Sequence, residues 1–316
     1  MINSRKNPIK ALIELPNWLG DCVMSTPAIE NIVSFYRDIE ITIIGSFNSV
    51  ELLKNHPKVV KVVTIESKKK LPLKTFSGLG SFDIYFSFRG SIRARATKLI
   101  VNAKKKYQYG QFKSSKSHQV EKYVDFVNYS LNINLKAGNL VSYIHKKNNS
   151  KTSKILGINP GASYGSAKRW YPKEFSKIAI ELSGSFDIMI FGGMNELDFA
   201  NEIESLLKSK DIHNFTNLAG KTSIYELSSY IGNLDVLVTG DSGPMHIAAS
   251  LQVPTISLFG PTNPVETSQW KNIKSLILKK NLDCQPCMQR ICPLKHHNCM
   301  KYIEASEVIE SITKLS

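Results

Sequence analysis

Short apolar runs rich in β-branched residues alternate along the chain with segments whose apolar residues recur at helical spacing. This alternation is typical of βαβ units, and it predicts an α/β protein with parallel sheets. In the first half the pattern predicts strands at residues 10–15, 39–45, 59–65 and 83–88, a further strand near Tyr107, and helices most clearly at residues 22–35 and 118–131. The polar segment 145–153 has few side chains that could enter a core and is typical of a linker.

The second half repeats the pattern. It predicts strands at residues 155–159, 187–191, 235–239, 255–259 and 275–278, and helices at residues 172–182, 195–208, 224–231, 244–251 and 306–315. Two α/β halves predict a division into residues 1–150 and 151–316 with a cleft between them. In open parallel sheets ligands bind beyond the carboxyl ends of the strands, so the residues that follow each strand are the candidates for chemistry.

Length and composition agree with two soluble domains. The 316 residues exceed a typical single core, and 42% hydrophobic with 21% charged residues is ordinary for a globular protein. No apolar run is long enough to cross a bilayer, and the polar N-terminal segment does not resemble a secretory signal. The sequence therefore predicts a cytoplasmic protein.

The charge is strongly positive. Lysine and arginine number 41 against 26 aspartate and glutamate, a formal net charge of +15. This excess favours an anionic partner such as nucleic acid, acidic lipid head groups or a phosphorylated substrate, and a lysine-rich composition without functional meaning is the alternative. Because no zinc-finger spacing, helix-turn-helix punctuation or RNA-recognition signature accompanies the charge, nucleic acid is not the predicted partner.

The loop after the first predicted strand, Pro-Asn-Trp-Leu-Gly-Asp at residues 16–21, brings a carboxylate to the start of a helix. Asp21 has two interpretations. As an N-cap it would accept amide hydrogens and stabilise the helix by about 1 kcal/mol. As a general base at the mouth of the cleft it would accept the proton of an attacking hydroxyl.

The first strand of the second half leads into residues 159–170, Asn-Pro-Gly-Ala-Ser-Tyr-Gly-Ser-Ala-Lys-Arg-Trp. Glycines, small hydroxyl residues and the adjacent cations Lys168 and Arg169 are typical of an anion-binding loop, although the spacing of a P-loop is absent. A solvated basic loop is the alternative. Trp170, which we expect to be buried, and a helix start at Pro172 favour binding because they would hold the cations in place.

Two further strand ends carry candidate polar groups. Residues 240–244, Gly-Asp-Ser-Gly-Pro, end one strand and start a helix, which would present its free amides and positive dipole end to a phosphate. His246 would lie on the first turn of that helix, where a structural role is the alternative. Glu196, after another strand, either complements a helix dipole or holds ribose hydroxyls.

Four of the five cysteines lie in one short stretch that also holds two adjacent histidines. These residues are Cys284, Cys287, Cys292, His296, His297 and Cys299. They supply enough ligands for a tetrahedral zinc ion, but their spacing matches no well-known zinc motif. Packed free thiols and a local disulfide are the alternatives.

Taken together, these segments resemble glycosyltransferase family 9, and within it the transferases of the second inner-core heptose. The resemblance runs in order along nearly the whole chain. The matching stretches are residues 16–21, 87–91 (Ser-Phe-Arg-Gly-Ser), 118–123 (His-Gln-Val-Glu-Lys-Tyr), 159–162, 167–170, 218–220 (Leu-Ala-Gly), 241–246, 258–261 (Leu-Phe-Gly-Pro) and the cysteine cluster around Cys292.

The resemblance implies a GT-B fold, an α/β architecture of two Rossmann-like domains, with acceptor binding in residues 1–150 and nucleotide-sugar donor binding in residues 151–316. It implies inverting transfer of L-glycero-D-manno-heptose from ADP-heptose onto the heptosyl-Kdo2-lipid A inner core of lipopolysaccharide. The alternatives are a related transferase with another sugar or acceptor, including the first heptose onto Kdo2-lipid A, and a non-catalytic nucleotide-sugar binding protein.

The resemblance also implies roles for single residues. Asp21 matches the catalytic base, and Lys168 matches a contact to the donor diphosphate that supports catalysis. Arg89 and Arg93 are expected to contact acidic Kdo or lipid A phosphates of the acceptor. The implied donor-binding residues are Ser163, Tyr164, Lys168, Glu196, Asp241, Ser242, Gly243 and His246.

No cofactor and no divalent metal are expected. The chain lacks the Asp-x-Asp motif that many glycosyltransferases use to hold a metal on the donor diphosphate, so Lys168, Arg169 and helix amides are expected to balance the leaving-group charge. The implied partners are the nucleotide-sugar donor and an anionic lipid acceptor. We expect a monomer in peripheral contact with the inner membrane, with lysines 68–70 and 104–106 as basic patches.

Overall fold

The computed structural model of the protein describes residues 7–65, 76, 78–111, 114–144 and 153–315. Lysines 68–70 and residues 145–152 of the expected linker lie outside the described residues. The chain divides into two compact units, Met1–Tyr143 and Ile144–Ser316. Within the described ranges, no helix is both long enough and apolar enough to cross a membrane.

The first unit contains a parallel sheet of five strands. They are β1 (Ile9–Glu14), β2 (Ile39–Gly45), β3 (Val59–Thr64), β4 (Phe82–Ser87) and β5 (Ala103–Gln108). Their order is β3-β2-β1-β4-β5, and every pairing is parallel. The central strands β1, β2 and β4 are mostly buried, which explains their nearly continuous apolar sequences. All five were predicted, including the strand near Tyr107.

Helices within the described part of the first unit include α1 (Leu19–Met24), α2 (Thr26–Tyr36), α3 (Phe47–Leu53), α4 (Ile92–Ile100) and α5 (Gln119–Leu131). The single helix predicted at residues 22–35 is wrong, because α1 and α2 separate at Ser25. Pro27 has no amide hydrogen to donate to the carbonyl of Val23, so the helical ladder is interrupted. The hydroxyl of Thr26 donates to that carbonyl instead, at 2.7 Å.

The second unit contains a parallel sheet of six strands. They are β6 (Lys154–Asn159), β7 (Phe186–Ile190), β8 (Phe215–Asn217), β9 (Val236–Gly240), β10 (Thr255–Phe259) and β11 (Ser275–Lys279). Their order is β11-β10-β9-β6-β7-β8, again with parallel pairings throughout. Strand β8 was not predicted, because a strand of three residues is too short to show a periodic pattern.

The helices of the second unit include all five that were predicted. The predicted ones are α6 (Pro172–Leu182), α7 (Leu197–Lys208), α8 (Ile224–Gly232), α9 (Gly243–Ser250) and α12 (Ala305–Leu315), and the short helices α10 (Pro264–Thr267) and α11 (Asn298–Lys301) were not predicted. Trp170 is buried as expected, and its ring packs edge-on against Phe175 at a centroid distance of 4.9 Å. Its indole N–H donates to the carbonyl of Ile303 at 3.0 Å, so the loop before α6 is anchored in the core.

In both sheets the strand order reverses beside the first strand of the unit. β1 lies between β2 and β4, and β6 lies between β7 and β9. At such a switch point the chain leaves adjacent strand ends in opposite directions, and ligands of doubly wound folds bind there. Asp21 and Arg89 follow β1 and β4, whereas Lys168 and Asp241 follow β6 and β9, so each switch point carries charged candidates.

Candidate active site

A buried ion pair lies at the switch point of the second sheet. Lys168 ends a short 3₁₀ turn, Ser166–Lys168, and Asp241 directly follows β9. The Nζ atom of Lys168 lies 2.5 Å from Oδ2 of Asp241 and also donates to the carbonyl of Asp241 at 3.1 Å. The two side chains are only 11% and 5% exposed. The pair therefore fixes a cation beside the carboxyl end of β6.

Asn159 ties together the two loops that carry this pair. Its side-chain amide, at the end of β6, donates to the hydroxyls of Thr239 at 3.1 Å and Ser242 at 3.3 Å. Asn159 was not assigned a role from the sequence. The sequence feature that could have indicated this role is an amide side chain at the end of a mostly buried, apolar strand. A buried amide needs a hydrogen-bond partner.

Helix α9 begins beside the ion pair. Ser242 is its N-cap, and Gly243 and Pro244 occupy the first two helical positions as predicted. The N-cap side chain makes no capping hydrogen bond, so the first-turn amides keep their capacity to bind an anion. His246 is buried in this first turn. The start of α9 thus combines helix amides with the nearby ammonium of Lys168.

The loop after β6 presents Tyr164 between two cations. The ring centroid of Tyr164 lies 4.7 Å from Nζ of Lys168 and 5.3 Å from Cζ of Arg290, and its hydroxyl donates to the carbonyl of Met288 at 2.7 Å. Ser163, the next residue toward β6, is exposed. Arg290 was not singled out from the sequence, because nothing local to it indicates that it meets a loop more than a hundred residues away.

Residues 284–299, here named the cysteine segment, support the loop of Lys168. The carbonyl of Arg290 accepts a hydrogen bond from the amide of Ala167 at 3.0 Å, and Nε2 of His297 donates to the carbonyl of Ala167 at 2.9 Å. Gly165 packs directly against the Arg290 backbone, where a side chain would overlap it. The cysteine segment therefore positions the residue immediately before Lys168.

The cysteines of this segment are free thiols. All four line one small cavity of about 20 Å³ together with His296 and His297. Burial and the three neighbouring thiols raise the pKa of Cys299 to about 11. No three His, Cys, Asp or Glu side chains among the described residues are arranged to hold a metal ion. The structure therefore does not show the local disulfide that was one of the alternatives.

Glu196 lies on the other side of β6, in the 3₁₀ turn Met194–Glu196 that follows β7. Its Oε2 atom accepts a hydrogen bond from the amide of Gly193 at 2.7 Å. The carboxylate is buried against Gly161 of the β6 loop, where a Cβ atom at position 161 would overlap it. Glu196 therefore caps its own turn and borders the same sheet edge as Lys168.

Asp21 lies in the first turn of α1 but is not its N-cap. Trp18 holds that position, so the interpretation of Asp21 as an N-cap is wrong. The carboxylate instead accepts a hydrogen bond from the hydroxyl of Tyr123, with 3.4 Å between the oxygens. Burial above all, and then the charge of Asp21, raise the pKa values of both Tyr123 and Tyr109. Neither tyrosine was assigned a role from the sequence.

Arg89 belongs to a buried polar network. Its Nη1 lies 3.3 Å from Oε1 of Glu14, and its Nε donates to the carbonyl of Leu15 at 2.7 Å. The hydroxyls of Tyr85 and Ser87 each donate to Oε2 of the same glutamate at 2.6 Å. Burial lowers the pKa of Arg89, and Glu14 opposes that shift. These bonds tie the loop after β4 to the chain that leads into the Asp21 loop.

Arg93 differs from Arg89 in its setting. It lies in the first turn of α4 and is partly exposed, and its charge contributes to the lowering of the Arg89 pKa. The two arginines that were expected to act together on the acceptor therefore have unequal surroundings, one within a protein network and one nearer to solvent.

Comparison with known proteins places this architecture in a family. The model of glycosyltransferase family 9 (heptosyltransferase) matches residues 87–298. Lipooligosaccharide heptosyltransferase 2 of Campylobacter jejuni is 39% identical over 97% of this chain and 98% of its own length. In fold, Escherichia coli ADP-heptose LPS heptosyltransferase II matches with a TM-score of 0.83 at 21% identity, over 97% of this chain and 98% of that one.

The E. coli heptosyltransferase WaaC with ADP matches with a TM-score of 0.77 at 14% identity, over 98% of this chain and 100% of that chain. These likenesses confirm the expected α/β fold class, GT-B with two Rossmann-like units. They also agree with the two parallel sheets and their switch points. By its family match and its full-length relatives, the chain is a glycosyltransferase and belongs to family 9.

Proposed function

We propose that this enzyme transfers L-glycero-D-manno-heptose from ADP-heptose onto the heptosyl-Kdo2-lipid A inner core of lipopolysaccharide, with inversion at the anomeric carbon. The observation that carries the chemistry is the Lys168–Asp241 pair beside the start of α9, a fixed cation next to free helix amides. The choice of sugar and acceptor is supported by the full-length likeness to lipooligosaccharide heptosyltransferase 2.

The donor is proposed to bind the second unit. Lys168 and the amides of α9 would contact the diphosphate, and Glu196 would accept a ribose hydroxyl through Oε1, since its Oε2 caps the turn. Ser163, Tyr164, Asp241, Ser242, Gly243 and His246 complete the proposed donor site. Asp241, which orients Lys168, also offers a carboxylate oxygen to a sugar hydroxyl.

The acceptor is proposed to bind the first unit, with Asp21 as general base. The acceptor hydroxyl oxygen bonds to the anomeric carbon while the bond from that carbon to the ADP oxygen breaks. The hydroxyl proton passes to the Asp21 carboxylate, and ADP leaves with the electron pair of the broken bond. Negative charge on the departing diphosphate grows in the transition state, where Lys168 and the helix amides stabilise it. Arg93 and Arg89 are the proposed cationic contacts to the acceptor.

We further propose that the enzyme works as a monomer at the cytoplasmic face of the inner membrane, without a divalent metal. The lipid nature of the proposed acceptor and the net charge of +15 support peripheral contact with an anionic surface. Lysines 105 and 106 on the edge strand β5 could serve it, whereas Lys104 is paired with Asp83 at 2.7 Å. Lysines on an edge strand also discourage pairing with other chains.

The test is release of ADP when purified enzyme is mixed with donor and acceptor. We expect ADP release with ADP-heptose and heptosyl-Kdo2-lipid A, a mass increase of one heptose in the lipid product, and full activity in EDTA. Kdo2-lipid A lacking the first heptose serves as the second acceptor. Equal or faster reaction with Kdo2-lipid A would contradict the proposed acceptor, and transfer from another nucleotide sugar in preference to ADP-heptose would contradict the proposed donor. Loss of activity in EDTA that magnesium restores would contradict metal independence.

A further inference from the structure

We propose that Tyr123 is a positioning residue, whose hydroxyl holds the carboxylate of Asp21 in place and favours its ionised form. This inference rests on the proposed function, in which Asp21 is the general base. The two residues are 102 positions apart in sequence and meet because α5 packs against α1.

The ring of Tyr123 is held rigidly. It is buried within an aromatic cluster, with centroids 5.5 Å from Phe88 and 4.9 Å from Tyr109. Phe88 follows β4 and Tyr109 follows β5, so the cluster is anchored in the sheet. A ring fixed on these sides has little freedom, and its hydroxyl oxygen stays 3.4 Å from Oδ1 of Asp21.

The hydroxyl of Tyr123 can act toward Asp21 as a donor at any working pH. Burial, and then the charge of Asp21, keep the pKa of Tyr123 well above its ordinary value, so the phenol stays protonated. Donation to a carboxylate stabilises the charged form and lowers the pKa of that carboxyl group. Because the bond is longer than a usual O–H···O bond, we expect a moderate effect, which leaves the carboxylate able to accept a substrate proton.

The titratable groups Tyr109, Cys22 and Arg89, which lie on or near α1, have contacts of their own. The hydroxyl of Tyr109 accepts a hydrogen bond from Gln119 at 3.0 Å, and the thiol of Cys22 is kept neutral by burial and by Asp21, which raise its pKa. Arg89, whose charge acts to lower the pKa of the Cys22 thiol, forms an ion pair with Glu14.

The helices α2 and α3, which also pack against α1, each carry a carboxylate that is bonded elsewhere. Glu30 is bonded to His56 and to Tyr143, and Glu51 is paired with Lys54 at 2.8 Å. We therefore expect the hydroxyl of Tyr123, which donates to Oδ1 of Asp21, to contribute to the proton affinity of that carboxylate.

The experiment compares the pH dependence of kcat/KM in wild type, Tyr123→Phe and Tyr109→Phe, measured by ADP release. Below the pKa of Asp21 the base is protonated and activity falls. Loss of the Tyr123 hydroxyl raises that pKa, so the acidic limb should move to higher pH by about 0.5 unit or more. Donor KM and melting temperature should change little, since phenylalanine keeps the ring packing. Tyr109→Phe removes an equivalent hydroxyl from the same cluster and should leave the limb in place.

An unchanged acidic limb in Tyr123→Phe, with Asp21→Asn inactive, would overturn the role of Tyr123 while the base assignment stands. An equal shift in Tyr109→Phe would overturn it as well, because the effect would then belong to the cluster as a whole. An active Asp21→Asn enzyme would instead remove the base itself, which is a failure of the proposed function.

Discussion

The carboxylate of Glu196 occupies the space that a side chain on Gly161 would need. A Cβ atom at position 161 would overlap Cδ and both carboxylate oxygens of Glu196. The two residues follow adjacent strands, β6 and β7, and their contact brings a buried acid against the backbone of the loop that leads to Lys168. A residue larger than glycine at position 161 would therefore have to displace the Glu196 carboxylate, so close approach and not an unusual backbone angle favours glycine here.

We expect Gly161→Ala to weaken donor binding, because the added methyl group must displace the Glu196 carboxylate or the loop itself. Overpacking of this kind costs about 1–3 kcal/mol, which corresponds to about a 5- to 150-fold rise in the Kd of ADP. Calorimetry measures the change. The matched control is Gly192→Ala, where the nearest atoms would lie at 3.4 Å, and its ADP affinity should stay near that of wild type. Equal affinities in the two variants would show that Glu196 has no part in nucleotide binding.

Lys168→Ala should lower both donor affinity and turnover. The substitution removes a charge-assisted contact to the diphosphate, worth about 1.5–3 kcal/mol, and leaves the buried carboxylate of Asp241 without its cation. The Kd of ADP should rise about 10- to 150-fold, and kcat should fall because charge on the leaving ADP grows in the transition state. Lys177→Ala, which removes an exposed lysine paired with Glu174, is the control and should leave both unchanged. Wild-type ADP affinity in Lys168→Ala would place the diphosphate elsewhere.

Asp21→Asn should strongly lower turnover without destabilising the fold. Asparagine keeps the size of the side chain and can still accept the Tyr123 hydrogen bond, but it cannot accept a proton from the acceptor. Turnover should fall about 10²- to 10⁴-fold, while ADP affinity and melting temperature stay close to wild type. Because Trp18 and not Asp21 is the N-cap, no capping energy is lost. Near-normal kcat in this variant would exclude Asp21 from the mechanism.

Arg89→Met should destabilise the protein, whatever its effect on the acceptor. The substitution leaves the carboxylate of Glu14, which is 2% exposed, without its cation. Removal of one partner of a buried pair costs about 3–5 kcal/mol, which urea unfolding would detect. The control is Arg95→Met in α4, the helix that follows the Arg89 loop. It removes an exposed arginine and should change the free energy of unfolding by no more than about 0.5 kcal/mol. If Arg89→Met kept full stability and raised only the acceptor KM, Arg89 would be a substrate contact and not a structural one.

The alternation of apolar runs along the chain was enough to predict the class of fold, most of the strands and several of the longer helices. Hydrophobic periodicity is a local property, so a strand such as β1 or a helix such as α6 can be predicted from its own residues. It was also enough to place Asp21, Lys168 and Asp241 in the segments that follow strands, at the edge where parallel sheets bind ligands. Two prediction errors arose where hydrophobic periodicity carries no signal. They are the missed helix break at Pro27 and the missed short strand β8.

Which of those strand ends lie next to each other was decided by the tertiary structure alone. Lys168 and Asp241 are 73 residues apart and pair because β6 and β9 are neighbours in the sheet, and Tyr123 reaches Asp21 because α5 packs on α1. Likewise, the cysteine segment contacts the loop of Lys168 through backbone groups of Arg290 and Ala167. A pattern of side chains does not predict such a backbone contact. The physical reason is range: propensity and period act over a few residues, whereas the order of strands follows from how whole buried faces pack together.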